Sequence, residues 1–422
     1  MGKKAAVIGT FDTKGQEFLL LIEKLKEAGV EAVTIDTGFG ENDFIHANYY
    51  VAKILREEGL VTDDIKCAGK RALLLEIIAN RAAQIVTELK ESGEVQGAIS
   101  MGGGQGSFIA GIVMKNLPVG FPKVLLSTIA LVESSAKQFK HLNDTLVMNS
   151  LVDIAGINSL LIMTITEAAG ALSGMLNFQY GFETNDRKPA IGISAWGVTT
   201  PCVNMVRGML EAEGIEVYVF HSNGDGGMIL ENLIRQGALC AVADITLSEI
   251  SMPLAGANVS PVPNRLENAG TARIPQVIVP GGLDMVLASG EERKSGGKFS
   301  GRIVYQHNPD VAFVRSSKDE NIIFGKVIAN KLNKTKGAVK LLLPLKGISA
   351  IDKEDEVFYA PEIDAELFAA LKSNLANEDV KIEEIEEHIN SHNFAEKIVE
   401  ALKEIVPELS NIEFRKEQER ET

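Results

Sequence analysis

The sequence predicts an α/β protein of two Rossmann-like, doubly wound domains with mainly parallel sheets, and three observations predict it. Short apolar runs rich in Val and Ile alternate with longer amphipathic stretches, as successive βα units require. Those runs are apolar on both faces, the mark of a parallel sheet covered by helices on each side. A chain of 422 residues also exceeds what one ordinary core fills, so two domains are expected.

In chain order, AAVIG (5–9) is the first strand, and it runs directly into GTFDTKGQE (9–17). The stretch GQEFLLLIEKLKEAG then has apolar positions at helical spacing and ends on Gly29, a natural C-cap. EAVTIDT (31–37), GAISM (97–101) and KVLLS (123–127) are the next strands, and the helix KRALLLEIIANRAAQIVTELKESG (70–93) ends on Gly93. Residues 150–183, which include SLLIMTITEAAGALSGML, read as a long buried helix joining the two domains. The polar, proline-ended ETNDRKP (183–189) is the break, which predicts domains over 1–183 and 184–422.

A second series follows: AIGISAW (190–196), EVYVF (216–220), AVADIT (241–246), QVIVPG (276–281) and VKLLLP (339–344), again separated by helix-like segments. Residues 252–276 are rich in Pro, Gly and Asn and too long for a passive connector, and 290–302 are similar in character; both are candidate lids or binding loops, the alternative being a mobile surface excursion, which stands level for the second. The acidic KIEEIEEH (381–388) and the terminal RKEQERET read as solvated helix faces.

Composition limits the function classes. With 45% hydrophobic and 23% charged residues the chain is that of a folded globular protein. A formal charge of −15 with no local basic patch argues against nucleic acid. The apolar run after MGKK is too short for a signal sequence, and no uninterrupted apolar stretch reaches the ~20 residues needed to span a bilayer. A cytoplasmic protein is therefore expected, without membrane partners. Cys67, Cys202 and Cys240 are isolated and odd in number, which fits a reducing compartment and packing roles.

Ligands of open parallel sheets sit beyond the carboxyl ends of the strands, so the loops that leave them sample the site. In the first half these are TFDTKGQE, DTGFGEN, GGGQGSF and STIALVE. GGGQGSF (102–108) follows a strand and opens a helix, so Gly102, Gly103, Gly104, Gln105, Gly106 and Ser107 present backbone N–H groups suited to an anion. It is neither GxGxxG nor a Walker loop. Facing it, Thr10 and Thr13 offer hydroxyls and Lys14 a point charge for a terminal phosphate. Asp12 has two readings: a Mg²⁺ ligand beside a polyphosphate, or the cap of the helix that starts near Lys14. Asp36 and Thr37, after the second strand, are positioned to reach a ribose hydroxyl.

The second half gathers His221, Ser222, Asn223, Asp244, Glu249, Asn264, Arg265, Glu267, Asp284 and His307 at predicted strand ends. From these, His221, Glu249, Arg265 and His307 are the catalytic candidates, with the histidines as acid–base groups. Arg265, His307 and Arg315 are also candidate groups for a small anionic substrate.

GTFDTKGQE, SMGGGQGS, the HNPD element and GISAIDKEDEVFYAPEID together resemble the signature stretches of the Tm-one-like ATP-binding family, nearly end to end. That family takes its name from a tomato protein that confers resistance to tomato mosaic virus. The resemblance implies two Rossmann-like subdomains, a homodimer, and ATP in the N-terminal subdomain held by Thr10, Asp12, Thr13, Lys14 and the 102–107 turn. The expected function is ATP binding in the N-terminal cleft, ordering a dimer or a partner surface. The alternative is a metabolic enzyme acting on a small anionic substrate at the C-terminal or interdomain cleft.

Overall fold

The computed structural model describes residues 2–40, 44–60, 71–132, 139, 142, 144–178, 190–259, 261–407 and 409. Cys67, Glu41, Glu133, the 183–189 break and the terminal RKEQERET lie outside the described residues. The chain divides into two compact units, Met1–Phe182 and Glu183–Thr422.

The N-terminal unit contains β1 (Lys3–Gly9), α1 (Phe11–Glu27), β2 (Val30–Asp36), β3 (Tyr49–Tyr50), α2 (Val51–Glu57), α3 (Arg71–Glu91), β4 (Gly97–Gly102), α4 (Gly104–Asn116), β5 (Lys123–Ser127), β6 (Leu146–Asn149) and α5 (Ser159–Asn177). Its strands pair in parallel in the order β3-β2-β1-β4-β5-β6. The period of two along β1 sorts its side chains: Ala5 and Val7 enter the core with α1 and α5, while Ala6 and Ile8 enter the core with α3 and α4. That is the doubly wound arrangement expected from strands apolar on both faces.

The C-terminal unit contains β7 (Ala190–Ala195), α6 (Thr200–Ala212), β8 (Glu216–His221), α7 (Asp225–Arg235), β9 (Ala241–Thr246), α8 (Ser248–Leu254), α9 (Asn268–Ala272), β10 (Gln276–Gly281), β11 (Met285–Leu287), α10 (Gly290–Arg293), β12 (Val304–Gln306), β13 (Ala312–Arg315), α11 (Lys318–Leu332), β14 (Val339–Pro344), α12 (Pro361–Asn374), β15 (Val380–Ile385) and α13 (His392–Ile405). Its main sheet is parallel, in the order β15-β14-β10-β9-β7-β8. Helices α6 and α13 pack on one face, and α8, α11 and α12 on the other.

Four expectations change. The helix read over 150–183 is α5 alone; it lies within the N-terminal unit and buries one face (Leu161, Ile165, Ala168, Leu172), leaving Leu160, Ile162 and Met163 exposed. Asn158 stops it from starting earlier by accepting the Leu161 N–H. KIEEIEEH is not a helix face: VKIEEI is β15, an edge strand whose outward glutamates discourage further pairing. The 252–276 stretch contains the end of α8 and all of α9. The 290–302 stretch opens with α10, held by a Ser289/Glu292 capping box, and connects two strands of an antiparallel sheet, β11-β13-β12, whose short strands carry little periodic signal.

Candidate functional site

Strand order reverses between β1 and β4 in the N-terminal unit, the place where an open α/β sheet leaves a crevice. The two segments that leave these strands are 10–15 and 103–106. Strand β4 ends at Gly102, where a Cβ would lie 2.9 Å from Gly106 Cα, so glycine lets the next helix begin this close. Gly103 is the N-cap of α4, and no side chain caps the helix. The Ser107 N–H reaches Gly103 O at 2.9 Å, and the N–H groups of Gly104, Gln105 and Gly106 precede it without an intrahelical carbonyl. Gly104 and Gln105 are exposed, and nothing stands within 4 Å of a Gly104 Cβ. The positive end of a 13-residue helix therefore starts at this switch point, with no side-chain acceptor for its first N–H groups among the described residues and with Thr128 Oγ1 beside Gly103.

Ser107 faces the other way. It is fully buried and its Oγ lies 2.7 Å from Ser127 Oγ, which pins the first turn of α4 to β5. Across the crevice, Thr13 Oγ1 donates to Thr10 Oγ1 at 3.0 Å. Lys14 leaves helical geometry (φ −135°, ψ 30°), and its Nζ donates to Ile154 O. An ammonium has three donors, so this contact leaves others for a ligand.

The two aspartates organise the walls. Asp36 is buried, and its Oδ1 accepts Phe11 N–H at 3.1 Å and Gly38 N–H at 2.8 Å. Thr37 is buried beside it, with its N–H on Gly9 O. Asp12 Oδ2 accepts Phe39 N–H at 3.0 Å and Gly40 N–H at 2.8 Å. Its Oδ1 is shut away against Gly38, where a Cβ would come within 2.4 Å. Asp12 thus clamps the loop after β2. That geometry does not fit a Mg²⁺ ligand, since one oxygen is bonded twice and the other is enclosed. Among the described residues, no group of three or more His, Cys, Asp or Glu is arranged to hold a metal.

In the C-terminal unit the order reverses between β7 and β9, and there the protein's own side chains occupy the helix starts. Asn390 Oδ1 accepts Cys202 N–H in the first turn of α6 at 3.2 Å. Glu249 Oε1 accepts the N–H groups of Gly224 and Gly227 at the start of α7, at 2.7 and 3.0 Å. Arg265 is 1% exposed; its Nε donates to Glu249 at 2.9 Å, and its two terminal nitrogens bind Asp244. Arg315 is also buried, with Asp364 and the Phe358 carbonyl. The guanidinium groups expected to meet an anion are therefore inside the fold. His221 is exposed at the end of β8; His307, also exposed, lies 6.0 Å from the Phe313 ring and 6.3 Å from Tyr305. Cys202 is inert as a nucleophile, its thiol pushed up to about 12 by burial.

Sequence reasoning missed two polar residues here. Asn390 also donates to Val198 O, and His388 accepts Asn390 N–H on Nδ1 while Nε2 lies 2.9 Å from Ser349 O. Together they tie the loops after β7, β14 and β15. No motif spacing announces either one.

These features define a Rossmann-like α/β protein with two parallel-sheet units and, at its first switch point, a glycine-rich helix start whose first N–H groups have no side-chain acceptor among the described residues. The chain belongs to the Uncharacterised protein family (UPF0261): its N-terminal domain matches residues 3–181 and its C-terminal domain residues 188–406. It is 39% identical over 395 residues to a UPF0261 protein of Clostridium tetani (strain Massachusetts / E88), covering 94% of this chain and 97% of that one. It is 31% identical over 430 residues to the ToMV resistance protein Tm-1(GCR237) of Solanum lycopersicum, covering 96% of this chain and 56% of the tomato protein. The crystal structure of Acinetobacter baumannii MurG superposes with a TM-score of 0.22 at 10% identity, over 96% of this chain and 100% of that one, too slight a likeness to support any inference.

Proposed function

We propose that the N-terminal unit binds ATP in the crevice between β1 and β4, with the phosphates on the N-terminus of α4. The carrying observation is that, among the described residues, no side chain accepts from the first-turn N–H groups of α4, whereas Asp36, Asn390 and Glu249 accept from those of α1, α6 and α7. Oriented N–H groups and the helix dipole favour a phosphate at that point. Lys14 and the Thr10 and Thr13 hydroxyls supply the opposite wall, and the resemblance to the ATP-binding family names the nucleotide. Asp36 holds the backbone of its own turn, so ribose recognition falls to other groups. Asp12 acts by holding the 37–40 loop, and no step is assigned to a metal.

The test is calorimetric titration of ATP into the wild type and Gly104→Asp. A Cβ at position 104 meets nothing, and an aspartate in the first turn favours the helix, so the variant folds. Its carboxylate occupies the N–H groups, and ATP binding is expected to be lost. Undiminished binding by the variant would remove the phosphates from α4.

A further inference from the structure

The C-terminal unit contains two buried clusters of the same composition, each with three carboxylates around one guanidinium. In the first, Arg265 from the 261–267 segment meets Asp244 at the end of β9, Glu249 of α8 and Glu231 of α7; the Glu231 contact is 3.6 Å. In the second, Arg315 at the end of β13 meets Asp364 of α12 at 2.6 Å and Asp352 of the loop after β14 at 3.8 Å. Asp284, just beyond β10, completes it: its carbonyl accepts from Arg315 Nη1 at 3.3 Å and its Oδ2 accepts the Ser349 hydroxyl at 2.8 Å. All eight residues are buried.

Fully ionised, each cluster would bury two negative charges beyond what its arginine balances, a heavy cost in a dry interior. Three carboxylate oxygens enclosed in these clusters have no hydrogen-bond partner among the described residues: Glu231 Oε2, Asp284 Oδ1 and Asp352 Oδ1. Each cluster also holds a strained segment. Asn264 (φ 58°) and Leu266 (φ 69°) flank Arg265, and the Leu266 N–H is held at 3.0 Å by Glu231 Oε1. Asp355 (φ 70°) lies in the loop tied down by Arg315 through Phe358 O and by Asp352 through Ile348 N–H.

We propose that each cluster folds around a retained proton, on Glu231 in the first and on Asp284 in the second, and that losing it releases the 261–267 and 348–358 segments. The strand-end loops of the C-terminal unit thereby become sensitive to pH. Burial points the same way. It is the main cause that pushes Glu231 up to about 7, reinforced by Asp244 and Glu249 and opposed by Arg265. It does the same to Asp284, again to about 7, reinforced by Asp352 and opposed by Arg315. Asp364 is raised well above the ordinary carboxylate range, by burial and then by Asp352, against the opposing Arg315.

The sign follows by linkage. A carboxyl that stays protonated when folded but ionises when opened favours the closed form fully below the ordinary carboxylate range, and loses that advantage as pH rises towards 7. Opening should therefore become about tenfold easier per pH unit up to pH 7, for each proton released, and level off above.

Hydrogen exchange of the 422-residue chain between pH 5 and 8, corrected for the intrinsic pH dependence of exchange, reads this directly in peptides covering 261–267 and 348–358. The wild type should lose protection with that profile. Glu231→Gln, a neutral mimic of the protonated acid, should flatten the first segment only, and Asp284→Asn should lessen the slope of the second only, by the one proton it removes. A pH-independent wild type, or variants that keep its profile, would overturn the proposal. If a variant fails to fold, the infrared carbonyl band of protonated carboxylic acids in the wild type decides. Its presence at pH 6 and decline by pH 8 supports the retained protons, and its absence at pH 6 refutes them.

Discussion

Single residues divide into those that hold the fold and those that we propose meet a ligand. Arg265 belongs to the first group. Removing it leaves three buried carboxylates without their cation, so Arg265→Ala should cost about 3–5 kcal/mol in chemical denaturation, a range set by breaking buried ion pairs. A loss below ~1 kcal/mol would mean that solvent reaches the cluster. Lys14 belongs to the second group. Among the described residues it makes one side-chain hydrogen bond, to Ile154 O, from a kinked position after β1. Lys14→Ala should leave the melting temperature nearly unchanged and weaken ATP binding tenfold or more, the ~1.5–3 kcal/mol of a hydrogen bond to a charged group. Equal affinity in calorimetry would place the phosphates away from this wall. Both residues stood out in the sequence for the same reason, as basic residues near predicted strand ends. Charge and spacing alone do not tell a buried ion-pair hub from a ligand group.

Elements were legible where they were long and periodic. The strands AAVIG, GAISM, AVADIT and QVIVPG and the helices ending at Gly29 and Gly93 appear near their expected positions, because every apolar face had an element to pack on. The three-residue strands β11 and β12 were not, since pairing with β13 and not intrinsic pattern makes them strands. β15 was misread because an edge strand exposes the same charged residues as a helix face. Helix ends depend on small local devices. Ser317 accepts Glu320 N–H at 3.3 Å while Glu320 returns a bond to Ser317 N–H at 2.8 Å, a capping box that starts α11. Ser317→Ala should therefore cost about 1 kcal/mol in urea unfolding. No measurable change would mean that packing against α12 sets the start of this helix.

For the whole molecule, the ligand expectation is confined to one unit. ATP bound in the N-terminal crevice should stabilise that unit by about 2.7 kcal/mol at a hundredfold excess over Kd. Limited proteolysis with and without ATP, with cleavage sites mapped, should show slower cutting within residues 2–178 and no change beyond 190. Protection confined to the C-terminal residues would instead favour a ligand at the β7/β9 switch point. By itself the sequence determined the α/β class, the mainly parallel sheets and the two loops that flank the first switch point. Those features follow from local apolar periodicity and from glycines at strand ends, which one segment carries alone. Only the tertiary structure decided which polar groups remain available. Asp12, Asp36, Ser107, Glu249, Arg265 and Arg315 carry the same chemistry as ligand-binding residues, but partners distant in sequence, from Gly40 to Asp364, enclose their polar atoms. Whether a charged side chain meets solvent or another side chain is fixed by packing, and packing is a property of the assembled fold.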